Sequence, residues 1–127
     1  MDEQFGKYVR EKREEKKVNL RKLAELLEIA PAYMSDMEKA RRYPPDKDKL
    51  FKIAEVLEFT QEETDRMFDL AAMAKDNTVS PDLPQYIMEH EPVRVALRKA
   101  RDLDISDEEW MNVIDMLEQK NQEKKKS

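Results

Sequence analysis

Leu20, Leu23, Ala24 and Leu27 stand at the i, i+3, i+4, i+7 spacing of one buried helical stripe, and Pro31 opens another helix directly afterwards. Asn19 precedes the stripe as a good N-cap. Pro31 suits a first helical position because its missing N–H would have no partner there. Tyr43-Pro44-Pro45 then forces an extended exit, since proline lacks the backbone donor and disfavours helix in the residue before it. Residues 20 to 45 therefore read as two short helices around a tight turn.

The same spacing sorts the rest of the chain into about eight helices and no convincing strand. Helix one runs from about Glu3 to Lys17 with Phe5, Tyr8 and Val9 inward. Helix four follows Asp46 with Leu50, Ile53, Ala54 and Leu57. Thr60 and Glu63 form a capping box for helix five, whose stripe is Met67, Leu70, Ala71 and Ala74. The breaker-rich segment "KDNTVSPDLP" reads as a linker. Helices are then expected at Gln85 to Glu91, Pro92 to Asp102, and Ser106 to about Lys120, the last capped by Ser106 and Glu109. A single glycine supports an all-α fold, because the turns of sheet proteins usually need glycine.

With 127 residues the chain suits one small domain with an appendage. The reading is a five-helix domain over 3–75, a linker at 76–84, C-terminal helices over 85–120 that dock or dimerise, and a frayed tail at 121–127. No cysteine is present, so disulfides and thiolate metal sites are excluded. The N-terminus lacks the apolar run of a signal peptide and nothing approaches a membrane span, so a cytoplasmic protein is expected. The net charge of -5 hides an asymmetry. Residues 7 to 22 carry eight bases (Lys7, Arg10, Lys12, Arg13, Lys16, Lys17, Arg21, Lys22) against Glu11, Glu14 and Glu15. Residues 55 to 69 carry six acids against Arg66. Such a distribution lets one end face phosphate, although charges scattered over solvated helices give the same count.

On a wheel at 100° per residue, helix three separates into two faces. Met34 and Met37 point inward with Glu38 beside them, while Ala32, Ser35, Asp36 and Lys39 point outward. A helix that enters a major groove needs small or polar side chains for close approach and basic or amide anchors for phosphate. Ala32 and Ser35 meet the first need. Lys39, Arg41 and Arg42, with Asn19, Arg21 and Lys22 at the start of helix two, meet the second.

The stretch "FGKYVREKREEKKVNLRKLAELLEIAPAYMSDMEKARRYPP" resembles the Cro/CI (Xre) family of helix-turn-helix transcriptional regulators, with the phage-repressor-like fold of five helices. The resemblance covers roughly residues 5 to 72 and places the helix-turn-helix at 19–40. It rests on the helix-one arginine, "LAELL", a turn closing in Ile29, Pro31 to Ser35, Glu38, and Arg41 to Pro45. It implies double-stranded DNA as partner, base or groove contacts from Ala32, Tyr33, Ser35 and Asp36, and phosphate contacts from the start of helix two and from Lys39 to Tyr43. It also implies a structural ion pair between Arg13 and Glu38, two partly buried charges that compensate each other. The sequence departs from the family at Lys12, where leucine is usual, and at Lys17 and Ala40, where glycine is frequent and a left-handed residue costs least. Asp36 stands where basic or amide residues are frequent. It can accept from cytosine N4, orient Lys39 or Arg42 through a local ion pair, or mark a module with weak DNA binding.

Other signals point to bland roles. Glu14-Glu15, Glu62-Glu63 and Glu108-Glu109 are adjacent on helices and do not face one another, so they make no catalytic pairs. His90 stands alone, which argues against a metal site, and one glycine cannot build a phosphate loop. Trp110 belongs to the stripe Trp110, Val113, Ile114, Leu117, which suits a core or a dimer interface. The expectation is a non-enzymatic regulator without cofactors: a repressor acting as a homodimer on a two-fold symmetric operator. The alternative is an antitoxin or partner-controlled module that captures a protein through its C-terminal helices and binds DNA weakly.

Overall fold

A helix that stops and turns sharply usually hands its chain to a glycine in the left-handed region, and this sequence has one glycine for all its turns. The computed structural model describes residues 2–76 and 78–126, and among them it contains eight helices and no strand. These are α1 (Gln4–Glu15), α2 (Leu20–Leu26), α3 (Pro31–Glu38), α4 (Lys47–Val56), α5 (Gln61–Met73), α6 (Pro84–Glu89), α7 (Glu91–Asp102) and α8 (Asp107–Lys126). Five helix ends pass through left-handed residues that are not glycine: Lys17, Glu28, Ala40, Glu58 and Asp104, with φ between 52° and 60°.

Each of these ends is a Schellman motif. After α2, the Glu28 N–H donates to the Glu25 carbonyl and the Ile29 N–H to that of Ala24, both at 3.0 Å. After α4, Glu58 donates to Glu55 and Phe59 to Ala54; after α1, Lys17 donates to Glu14 and Val18 to Arg13. The residue following the left-handed one is apolar in these three cases, and Val18, Ile29 and Phe59 pack on the core. Burial of that next side chain holds a backbone conformation that costs a non-glycine residue about 1–2 kcal/mol. α3 ends the same way at Ala40, but there the next residue is the exposed Arg41.

The core of the first unit is built from the expected stripes. Phe5 and Val9 of α1, Leu23, Ala24 and Leu27 around α2, Met34 and Met37 of α3, Leu50, Ile53 and Leu57 around α4, and Met67, Leu70 and Ala71 of α5 are buried together. Phe68, absent from the expected stripe, is also buried and meets the half-exposed Phe51 with ring centroids 4.7 Å apart. α1 packs on α3 and α5, and α2 on α3 and α4. The lone glycine explains the first of these contacts. A β-carbon on Gly6 would lie 2.5 Å from the Met37 carbonyl oxygen and as close to that of Glu38, so the backbones of α1 and α3 meet here only because Gly6 has none.

Lys12 has a structural role in the contact of α1 with α5. Its ammonium lies 2.9 Å from Glu63 Oε2, while Glu63 Oε1 accepts the Thr60 N–H at 2.9 Å in the expected capping box. The Thr60 N–H and the Lys12 ammonium together hold the Glu63 carboxyl down from the usual 4.5 to about 2.

The division of the chain differs from the sequence reading. The first compact unit extends to Tyr86 and the second begins at Ile87, so the boundary falls within α6 rather than between 75 and 85. The segment read as a linker is tied down at both described hydroxyls. Thr78 Oγ1 donates to the Ala72 carbonyl at 2.6 Å, and Ser80, itself buried, donates to Asp69. Asn77 lies outside the described residues. The tail expected to fray from 121 instead continues α8 to Lys126; no proline or glycine interrupts it, and Lys124, Lys125 and Lys126 suit the negative end of the helix dipole. Ser127 lies outside the described residues. Within the second unit, Arg94 Nη1 donates to the Ile87 and Met88 carbonyls at 3.0 and 2.8 Å, closing the end of α6.

Two outcomes follow. Ala40→Gly removes left-handed strain of about 1–2 kcal/mol and returns part of it as chain entropy, so urea unfolding should show a net gain of about 0.5–1 kcal/mol. Because the folded-state pKa of Glu63 is depressed, its contribution is complete above pH 4.5 and is lost as pH falls toward about 2. The difference in melting temperature between the native protein and Glu63→Gln should accordingly shrink across that window.

Candidate nucleic-acid interface

The position of α3 is set from beneath by a buried ion pair. Arg13 Nε donates to Glu38 Oε2 at 2.8 Å and Nη2 to Oε1 at 3.0 Å, a bidentate fork with both residues buried. The remaining terminal nitrogen, Nη1, donates to the Val18 carbonyl at 3.0 Å in the turn between α1 and α2. One guanidinium thus joins α1, the α1–α2 turn and the C-terminal end of α3. The Glu38 hydrogen bonds hold Arg13 firmly in its charged form against the opposing effect of burial.

With Met34, Met37 and Glu38 turned inward, α3 leaves Ala32 and Lys39 exposed and Tyr33, Ser35 and Asp36 half-buried. Burial follows the two faces of the wheel. Asn19, Arg21 and Lys22 are exposed at the start of α2, where Asn19 Oδ1 accepts the Lys22 N–H at 2.7 Å. The Asn19 carbonyl oxygen of the side chain is therefore engaged in the cap, and its amide N–H groups are what it has left to donate.

Asp36 lies between two arginines. Its Oδ1 is 4.0 Å from Arg41 Nη1 and its Oδ2 is 3.9 Å from Arg42 Nε, long contacts between partly exposed groups. Lys39, three residues on, is not part of this set. The Arg42 guanidinium also lies over the Tyr33 ring, 4.9 Å from its centroid. Tyr33, Asp36, Arg41, Arg42, Tyr43, Pro44 and Lys75 line an open depression of about 650 Å³.

Two contributions escaped sequence reasoning. Lys75, beyond the end of α5, holds its ammonium 5.0 Å from the centroid of the Tyr43 ring and so adds a cation to this surface. Its distance from Tyr43 along the chain gave no signal, because only the folded path of α4 and α5 brings the two together. Lys7 and Arg10 of α1 share a second depression with Lys39, Glu3 and the paired Glu38, so two bases of α1 meet the end of α3. Their place in the basic N-terminal run was visible in the sequence; their meeting with Lys39 was not. Among the described residues no cluster of His, Asp or Glu is arranged to hold a metal ion.

A family model described as a helix-turn-helix domain matches residues 4–67, half of the chain, and the protein belongs to that family. The unit bearing this surface is a helix-turn-helix DNA-binding domain. No curated protein and no solved structure matches the chain. No helix among the described residues is long and apolar enough to cross a membrane.

Truncating either member of the buried pair leaves its partner charged and uncompensated. Arg13→Met or Glu38→Gln should each destabilise the protein by about 3–5 kcal/mol. The double variant Arg13→Met with Glu38→Leu should recover most of that loss in denaturant unfolding.

Proposed function

We propose that this protein is a sequence-specific transcriptional regulator of the Cro/CI (Xre) type that acts as a repressor, binding as a homodimer to a two-fold symmetric operator in the cytoplasm. The observation that carries the reading is the presentation of α3: its apolar side is locked onto α1 and α2, and its outer side carries small or polar residues flanked by bases. Ala32 and Ser35 leave room for the helix backbone to approach base edges, and Tyr33 and Asp36 share that face. Arg21, Lys22, Lys39, Arg41, Arg42 and Tyr43 are placed for phosphate, with Asn19 and the first N–H groups of α2 beside them.

Asp36 is compatible with this role. Its carboxylate lies between Arg41 and Arg42, so the local charge of the three side chains is positive and the acid serves to orient the two guanidinium groups. The α3 helix of each copy enters one major groove, and the spacing of about 34 Å per helical turn couples dimer geometry to half-site spacing. Repression then follows from occupancy, as a bound dimer excludes polymerase. Neither a cofactor nor an enzymatic step belongs to this reading.

Selection of bound duplexes from a random pool by the purified protein should return a palindromic consensus. Affinity for it should fall steeply with salt, and Arg41→Ala and Arg42→Ala should each reduce the slope of log affinity against log salt by about 1 while the fold stays intact. Absence of any salt-dependent preference over random duplex would sink the reading. Undisturbed biological activity of these variants would favour the antitoxin or partner-controlled module instead.

A further inference from the structure

The helices from Ile87 onward are stranded without a core. No described residue from Ile87 to Lys126 is buried, although the segment is rich in large apolar side chains. α7 and α8 are joined by the short turn through Asp104, yet they do not pack along their lengths. They form an open V. Its floor is a groove of about 470 Å³ whose α7 wall is Ala96, Lys99 and Ala100, whose α8 wall is Glu109, Trp110 and Val113, and which Leu103 and Ile105 of the turn close at one end. Beyond it the expected stripe of α8 continues into Ile114, 47% exposed, and Leu117, 57% exposed. α8 has 20 residues against 12 in α7, so its last turns extend past anything α7 can cover.

We propose that this V is a self-recognition surface whose occupant is the same V of a second copy of the chain. The inference rests on the dimeric regulator proposed above and assigns its interface. Charge selects this occupant. α7 carries Arg94, Arg98, Lys99 and Arg101 against Glu91 and Asp102, whereas α8 from Asp107 to Glu118 carries five acids and no base. Pairing α7 with α7, or α8 with α8, sets like charges together. A two-fold pairing of α7 with α8 of the other copy sets opposite charges together twice over, which is the self-complementarity that an isologous interface requires.

The groove repeats that pattern in miniature. Lys99 lines one wall and Glu109 the other, so a two-fold partner places Lys99 opposite Glu109 of the partner subunit and the reverse. Open apolar surface is present as well. A stable interface covers about 800 Å² on each partner, and the apolar side chains open for it here include Leu103, Val113, Ile114 and Leu117. Two such units interlocked make a four-helix arrangement in which Trp110 and its stripe become interior.

The test uses the full chain and sedimentation velocity, with circular dichroism to follow helix content. The native protein should be a dimer, and Ala100→Trp, which fills the groove, should be a monomer. Lys99→Glu and Glu109→Lys should each weaken self-association by about tenfold or more. Mixing those two single variants should restore a heterodimer, because the first variant then presents only acids at both positions and the second only bases, so both cross-subunit contacts join opposite charges. An unfolded variant would not be rescued by mixing. A native chain that stays monomeric overturns both this assignment and the dimeric regulator. A dimer that survives Ala100→Trp, or single variants that fail to recover on mixing, overturns the interface alone. Duplex selection, which reads α3 directly, decides the DNA reading separately.

Discussion

The fold of the first unit depends on one guanidinium. Arg13 spans from α1 to Glu38 on α3 and to the Val18 carbonyl before α2, at distances of 2.8 to 3.0 Å. Two buried charges are tolerated because each satisfies the other and the remaining donor finds a carbonyl. The contact requires α1 and α3 to approach backbone to backbone, and Gly6 permits that approach at the Met37 and Glu38 carbonyls. The consequence is functional. A helix held at its C-terminal end by a fork and along its side by Met34 and Met37 has little freedom to roll, so Ala32, Ser35 and Asp36 stay turned outward.

Turn economy is the second constraint. The single glycine is used for close packing inside α1, and the left-handed helix ends fall to Lys17, Glu28, Ala40, Glu58 and Asp104. Val18, Ile29 and Phe59 show how the cost is met in the first unit: the residue after each bend is apolar and packs on the core. The α3 end lacks that support, since Arg41 follows Ala40 and remains exposed. Strain thus remains at the one helix end whose next residues, Arg41 and Arg42, belong to the candidate DNA surface.

The two units solve the burial problem differently. The first closes a core of residues drawn from five helices, and Lys12, Thr60 and Glu63 clamp its first helix to its fifth. The second has too few elements to enclose anything, and leaves Trp110 partly open and Leu117 exposed. Under the proposed pairing a second copy would cover that surface, and a two-fold symmetric site would then meet two α3 helices at once.

Helix number, the caps at Asn19, Thr60 and Ser106, and the inward stripes of the first unit were legible in the sequence because they depend on neighbours three or four residues apart. The same local geometry separated Met34 and Met37 from Ser35 and Asp36. Less legible were Phe68 in the core and Lys75 over Tyr43, whose partners come from distant helices. The sequence offered Lys39 or Arg42 as a mate for Asp36, and the bend at Ala40 brings Arg42 toward it together with Arg41, which local spacing did not single out. Thr78 and Ser80 looked like linker residues until their hydroxyls met Ala72 and Asp69. What the sequence determined by itself was therefore the set of helices and the face that each helix of the first unit buries, since periodicity and capping are properties of a continuous segment. Only the tertiary structure decided which charges pair, where the first unit ends and which bases gather around α3, because those depend on distances between segments that no local spacing encodes.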